Sequence, residues 1–250
     1  MLLACAACDR RPPSRTLSIA AAADLQFALE DVSHQFQAAH GGLAPKIVYG
    51  SSGNFYSQIQ NHAPFDLFLS ADLEYPRHLA EEGLALSDSI FTYAVGRLVV
   101  WVPADSPLDL ERLQMQVFED PSVKHIAIAN PQHAPYGRAA EAALRQAGVY
   151  DRVAGKLVTA ENIAQTLQFV QSGSADVGIV ALSLAVAPGV RGQGRYWEVP
   201  MHLYPRLWQG GIILNRASES ESAAGFREFL TSEQGRRILS QYGFSLPDNQ

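Results

Sequence analysis

Four short stretches of this chain carry residue types suited to holding a small anion. They are Ala21-Ala22-Ala23-Asp24-Leu25, Tyr49-Gly50-Ser51-Ser52-Gly53-Asn54, Asn130-Pro131-Gln132-His133-Ala134-Pro135-Tyr136-Gly137 and Thr159-Ala160-Glu161-Asn162-Ile163. Each follows an apolar run and opens a helical pattern. A helix N-terminus presents unpaired N–H groups and a partial positive charge, so it suits an oxyanion. Small residues such as Ala21–Ala23 let a ligand reach the backbone. Gly50 and Gly53 allow close approach, and the hydroxyls of Ser51 and Ser52 can donate. Pro135 suits the first position of a helix. Any one of these turns could be an ordinary cap. Together, at corresponding junctions of two halves, they describe neutral donors able to surround a dianion without Arg or Lys.

Other chemistries find less support. Gly50-Ser51-Ser52-Gly53 is one residue short of a nucleophile elbow, and no His or Asp follows in a triad arrangement. The seven histidines (34, 40, 62, 78, 125, 133 and 202) show neither HxxxH nor HxH spacing. His133 lies inside the third turn, and the sequence leaves open whether it rims a site. No GxGxxG and no phosphate loop with Lys is present. Cys5 and Cys8 are the only cysteines, so the body has no thiol nucleophile and no disulfide. Cys5-Ala6-Ala7-Cys8 lacks the second ligand pair of a zinc site and the strand–helix context of a redox motif.

The elements that must position these turns can be read from hydrophobic periodicity. Strands are expected at Leu17–Ala21, Ile47–Tyr49, Leu67–Leu69, Ile126–Ala129, Lys156–Val158, Val177–Val180 and Gly211–Leu214. Tyr93–Val102 reads as one long strand able to pass between lobes. Helices are expected at Asp24–Ala39, Ser52–Asn61, Leu73–Glu82 (capped by Asp72), Tyr136–Ala147, Asn162–Gln171, Ser222–Thr231 and Glu233–Tyr242. Pro188–Arg206 reads as a connection. Alternation of this kind predicts an α/β fold of mostly parallel sheets with helices on both faces. Ligands in such folds sit beyond the carboxyl ends of the strands.

Composition sets outer limits. Of 250 residues, 47% are hydrophobic and only 18% charged, which excludes a disordered chain. The net charge of −6 argues against a general nucleic-acid binder. Met1-Leu2-Leu3-Ala4-Cys5 reads as the end of a secretory signal or a lipobox, which would place the lipid on Cys5. Asp9–Arg15 reads as a tether.

The motifs AAADL, YGSSGNFYSQI, APFDLFLSAD, FTYAVGRLVVW, IAIANPQHAPYG and YGFSLP, in this order, resemble the periplasmic molybdate-binding proteins of ABC importers. The likeness runs from about Leu17 to Pro247. It implies a two-lobed, type II periplasmic-binding-protein fold with the ligand cleft between lobes. The expected division is residues 1–15 as signal and tether, 16–94 plus 200–250 as lobe I, and 95–199 as lobe II. By the same resemblance the ligand contacts fall on Ala23, Asp24, Ser52, Tyr136 and Ile163, the last two through backbone N–H groups. The oxyanion is held by these residues with no direct metal ligand and no cofactor. The implied partner is the membrane permease of an ABC importer, and the implied state is a periplasmic monomer. The resemblance implies no catalysis.

Two positions depart from that family. Many members carry Ser where this chain has Asp24, and some place a Tyr near the position of Ala181. An ionised carboxylate ~4 Å from an anionic oxygen, at an effective dielectric constant of ~20, is repelled by about 4 kcal/mol per unit charge. Asp24 must therefore turn away and offer its N–H, carry a proton, or face a different ligand. The alternative readings follow from this. One is a binder of sulfate, a phosphonate or an organic solute, with Asp24 pairing a cation. The other is an enzyme on the same scaffold.

Overall fold

The computed structural model describes residues 16–41 and 43–247. The lipobox reading of Cys5 and the tether lie outside the described residues. Among the described residues, ten strands fall into two five-stranded sheets.

In the first sheet, β1 (Ser18–Ala22) leads through a 3-10 turn at Ala23–Leu25 into α1 (Gln26–Ala39). Then come β2 (Lys46–Gly50), α2 (Ser52–Gln60), β3 (Leu67–Ser70), α3 (Glu74–Glu81) and β4 (Phe91–Gly96). The chain crosses to the second sheet at β5 (Leu98–Pro103) and continues through α4 (Leu110–Leu113), β6 (Ile126–Ala129) and α5 (Pro135–Gln146). It proceeds through α6 (Tyr150–Val153), β7 (Leu157–Ala160), α7 (Ile163–Gln171), β8 (Val177–Ala181), α8 (Leu182–Ala185) and β9 (Gly194–Glu198). It returns to the first sheet as β10 (Leu207–Ile213) and closes with α9 (Ser220–Thr231) and α10 (Glu233–Gln241).

The strand orders are β2-β1-β3-β10-β4 and β7-β6-β8-β5-β9. In each sheet the first three strands run parallel, and the fourth runs antiparallel to both neighbours. The two halves thus share one plan, with β1 matching β6, β2 matching β7 and β3 matching β8. A matching polar device fixes each half. Asp66, just before β3, accepts from the N–H of Ser18 at the start of β1 (2.8 Å) and from the N–H of Ser218 before α9 (2.7 Å). Asp176, just before β8, accepts from the N–H groups of Lys124 and His125 ahead of β6 (2.7 and 2.8 Å).

Period-two burial explains why the first sheet is covered on both faces. Ile19, Ala21, Leu67 and Leu69 join the larger core with Leu29, Val32 and Phe36 of α1. Ala20, Phe68 and Ile212 face the opposite way, against Phe55 and Ile59 of α2 and Leu79 of α3.

Two expectations need correction. The apolar run 93–102 is two strands, β4 and β5, in different sheets, separated at Arg97. Its residues are nearly all buried on both sides of the break, so hydrophobicity carries no trace of it. The stretch 188–206 is not all connection, since it contains β9. This edge strand leaves Arg195 and Tyr196 exposed and so lacks an apolar run. Asp72 does bind the N-terminal turn of α3, accepting from Tyr75 N–H at 3.1 Å.

A cavity walled by four helix starts

Four turns meet around one small cavity, lined by Ala22, Ala23, Asp24, Gly50, Ser51, Ser52, Ala71, Ala134, Pro135, Tyr136, Asn162 and Ile163. All five residues expected from the sequence are among them. The matched topology is the reason. The turns after β1 and β2 come from one sheet, and the turns after β6 and β7 from the other. No Lys or Arg lines the cavity.

The local geometry keeps donors free. The 3-10 turn, α2 and α5 begin without a side-chain cap. At α7 the Asn162 side chain accepts from the N–H groups of Ala164 and Gln165, both at 3.0 Å. The Ile163 N–H takes part in neither bond. Ser52 is 1% exposed, and its Oγ accepts from the N–H of Ala71 at 3.0 Å. Its own hydroxyl proton is thereby left to donate elsewhere. Helix dipoles reinforce these N–H groups toward an anion.

Asp24 is 1% exposed. Its Oδ2 accepts from Gln209 Nε2, and the Tyr136 hydroxyl donates to the same carboxyl. Gln209 Nε2 also donates to the Tyr136 oxygen at 3.1 Å. Asp24 Oδ1 is buried and has no hydrogen-bond partner. Burial raises the carboxyl from 3.8 to about 6, although the Gln209 and Tyr136 hydrogen bonds act to lower it. The hydroxyls of Tyr136 and Tyr93 are driven well above the usual tyrosine value, first by burial and then by the charge of Asp24. Gly96 makes room for this cluster, since a Cβ there would stand 2.2 Å from the Tyr136 oxygen. The Tyr136 hydroxyl is thus engaged with Asp24 and Gln209. Ala181 is fully buried at the end of β8 and does not line the cavity.

Contacts between the two sides hold the cavity shut. The Gly53 N–H donates to the His133 carbonyl at 2.8 Å. A Cβ on Gly53 would lie 2.6 Å from that oxygen, so only glycine fits this approach. Ser51 Oγ donates to the same carbonyl at 2.8 Å and lies 2.7 Å from His133 Nδ1. His133 Nε2 is 3.9 Å from Glu161, which in turn accepts from Asn54. Ser183 Oγ donates to the Asp24 carbonyl at 2.8 Å. Ser51, His133 and Glu161 therefore adjoin one another, but the Ser51 proton is spent on a backbone carbonyl. This is a clasp between two loops, and it lacks the free hydroxyl of a nucleophile.

Sequence reasoning missed Gln209 and left His133 open. Gln209 is a fully buried polar residue inside β10, and the expected strand began too late to include it. A polar residue flanked by Leu207, Gly210 and Gly211 was the available signal. Beside the cavity runs a wider groove lined by Asp72, Glu74, Arg77, Arg138, Arg206 and Trp208. Arg138 is held there by Asp72 (2.5 Å) and Glu74 (3.7 Å), and Arg206 stacks over Trp208.

Comparison with known proteins places this geometry. The chain is 37% identical over 247 residues to the molybdate-binding protein ModA of Azotobacter vinelandii, covering 98% of this chain and 94% of the relative. It is 39% identical over 196 residues to ModA of Rhodobacter capsulatus, covering 78% and 75%. The solved periplasmic molybdate-binding protein of Azotobacter vinelandii superimposes with a TM-score of 0.87 at 33% identity, over 93% of this chain and all of that one. Its fold is the two-lobed, type II periplasmic-binding-protein fold. Residues 17–245 match the model of the bacterial extracellular solute-binding proteins, and the chain belongs to that family.

Proposed function

We propose that this chain is an extracytoplasmic binding protein that captures a tetrahedral oxyanion, molybdate or tungstate, and delivers it to the permease of an ABC importer. One observation carries the reading. Uncapped helix starts from both sheets, with the free hydroxyl of Ser52, converge on a cavity that contains no cation. Neutral donors of this kind are worth most in a dry site, where their dipoles are fixed in advance. The names of the full-length relatives support molybdate as the ion. Ala23, Asp24, Tyr136 and Ile163 are the backbone donors, and Ser52 adds its hydroxyl.

Lobe I comprises residues 16–96 and 207–247 and lobe II residues 98–198, so the expected boundary at 94–95 moves to Arg97, because β4 pairs within the first sheet. The chain passes between them at Arg97 and again between Glu198 and Leu207. The Leu98 N–H donates to the Tyr204 hydroxyl at 3.1 Å, so the two crossings touch. These segments absorb the motion when the cleft opens. Binding proceeds without catalysis or a cofactor, and the protein works as a monomer, held at the membrane by lipid on Cys5. Among the described residues no helix is long and apolar enough to cross a membrane.

Calorimetric titration with molybdate, tungstate, sulfate and phosphate in parallel tests the reading. Saturable heat is expected from molybdate and tungstate, with sulfate and phosphate far weaker. Silence of all four at millimolar concentration would overturn it.

A further inference from the structure

Asp24 combines three features that no simple anion site needs. It lines the cavity, it is buried, and one of its two oxygens has no partner. Oδ2 accepts from Gln209 Nε2, and the Tyr136 hydroxyl bonds the same carboxyl. Oδ1 is therefore where a proton would sit. Among the described residues, no Lys, Arg or His contributes to the raised proton affinity of Asp24. From α5 it meets Tyr136, from β4 Tyr93 and from β10 the uncharged Gln209. From α8 it meets only the Ser183 hydroxyl, which bonds its carbonyl. Tyr204 and Asp72 stand one layer further out, next to Tyr136 and Tyr93 respectively. His133 lies across the cavity rim, engaged with Ser51 and Glu161. A dianion placed here with an ionised Asp24 would put three negative charges into one dry space.

Resting on the oxyanion reading above, we propose that Asp24 is protonated in the anion-loaded protein and donates from Oδ1 to an oxygen of the bound anion, so that each dianion is captured together with one proton. The proton comes from solvent and stays on the carboxyl, so no bond of the anion is broken. Gln209 acts as a positioning residue, because it holds Oδ2 as an acceptor and leaves Oδ1 for the proton. Burial already raises the carboxyl to about 6 before any anion is present. A neighbouring dianion raises it further, so the loaded carboxyl is neutral at neutral pH. The acid serves as a donor where the resemblance implies a serine hydroxyl in many members of the family. It adds a feature that serine lacks, since affinity then depends on pH.

The test is calorimetry of the full protein with molybdate at about pH 7 to about pH 9, where the ion stays a monomeric dianion. Paired buffers of different ionisation enthalpy report the number of protons taken up. Uptake near one proton per anion is expected, with Kd rising roughly tenfold per pH unit. Asp24→Asn, whose amide donates without titrating, should show uptake near zero and a flat Kd. Asp24→Ser serves the same purpose if the first variant folds poorly. Difference infrared spectra should show the carbonyl band of a protonated acid on molybdate addition, absent in Asp24→Asn. A pH-independent Kd without proton uptake in the wild type would overturn the proposal. So would wild-type uptake persisting in both variants, which places the proton on another group such as His133. Absence of any molybdate or tungstate binding is a distinct result, because it removes the oxyanion reading itself.

Discussion

At the scale of single residues, Asp24 shows how burial turns an apparent mismatch into a determinant. Its charge would oppose an anion if the side chain were exposed and ionised, yet the fold gives one oxygen a donor from Gln209 and leaves the other without a partner. The same burial has a consequence for the ligand-free protein. Its carboxyl titrates near 3.8 unfolded and is raised to about 6 when folded. The folded state therefore holds the proton more tightly. Between those values stability falls as pH rises, and above about 6 the loss is complete. Asp24→Asn should relieve it, stabilising the ligand-free protein by up to about 3 kcal/mol at about pH 7.5, with the gain vanishing near pH 4. Urea denaturation at the two pH values checks this, and a gain that is equal at both would contradict it.

At the scale of elements, the two sheets are built by one recipe whose polar fastener is an Asp before the third strand. Asp66 joins three segments, the starts of β1, β3 and α9, whereas Asp176 joins two, the starts of β6 and β8. Asp66 is 3% exposed, and Asp176 is exposed. Removing a buried acceptor strands its donors, at about 1–3 kcal/mol for each group left unsatisfied. Asp66→Ala should therefore lower stability by about 3 kcal/mol, and Asp176→Ala by less than about 1 kcal/mol, because water replaces the lost acceptor there. Equal losses in chemical denaturation would show that burial does not set the difference. Elements were legible where periodicity was strong, as for α1, α5 and the central strands. They were not legible at the break between β4 and β5. Both strands are apolar and buried, and what separates them is the sheet each one pairs with. Edge strand β9 escaped notice for the opposite reason, since half of it faces water.

At the scale of the whole molecule, function depends on two halves meeting. One of their contacts is especially close. Gly53 and the His133 carbonyl share a hydrogen bond of 2.8 Å, with Ser51 beside it. Gly53→Ala would put a methyl 2.6 Å from that carbonyl, and the obstacle is backbone that cannot swing aside. Overpacking of this kind costs about 1–3 kcal/mol, and here the closed form bears it while the two sheets stay intact. Molybdate affinity should drop by roughly 10- to 100-fold. X-ray scattering of the molybdate-saturated variant should give a larger radius of gyration than the saturated wild type. An unchanged affinity and radius would mean that this contact does not govern closure.

The sequence by itself determined the fold class and picked out the four turns that line the cavity. Alternating apolar runs and amphipathic helices leave few topologies, and turns rich in Ala, Gly, Ser and Pro mark where backbone can be approached. It also identified Asp24 as the discordant residue. Only the tertiary structure decided what surrounds Asp24. Its partners Tyr136 and Gln209 lie 112 and 185 residues away along the chain. Burial, which moves its proton affinity, is a property of the packed assembly. Likewise the clasp between Ser51 and His133 spans 82 residues and joins turns from two sheets. Local pattern reports what each segment favours. The distance between charges and the water excluded around them exist only once the segments have come together.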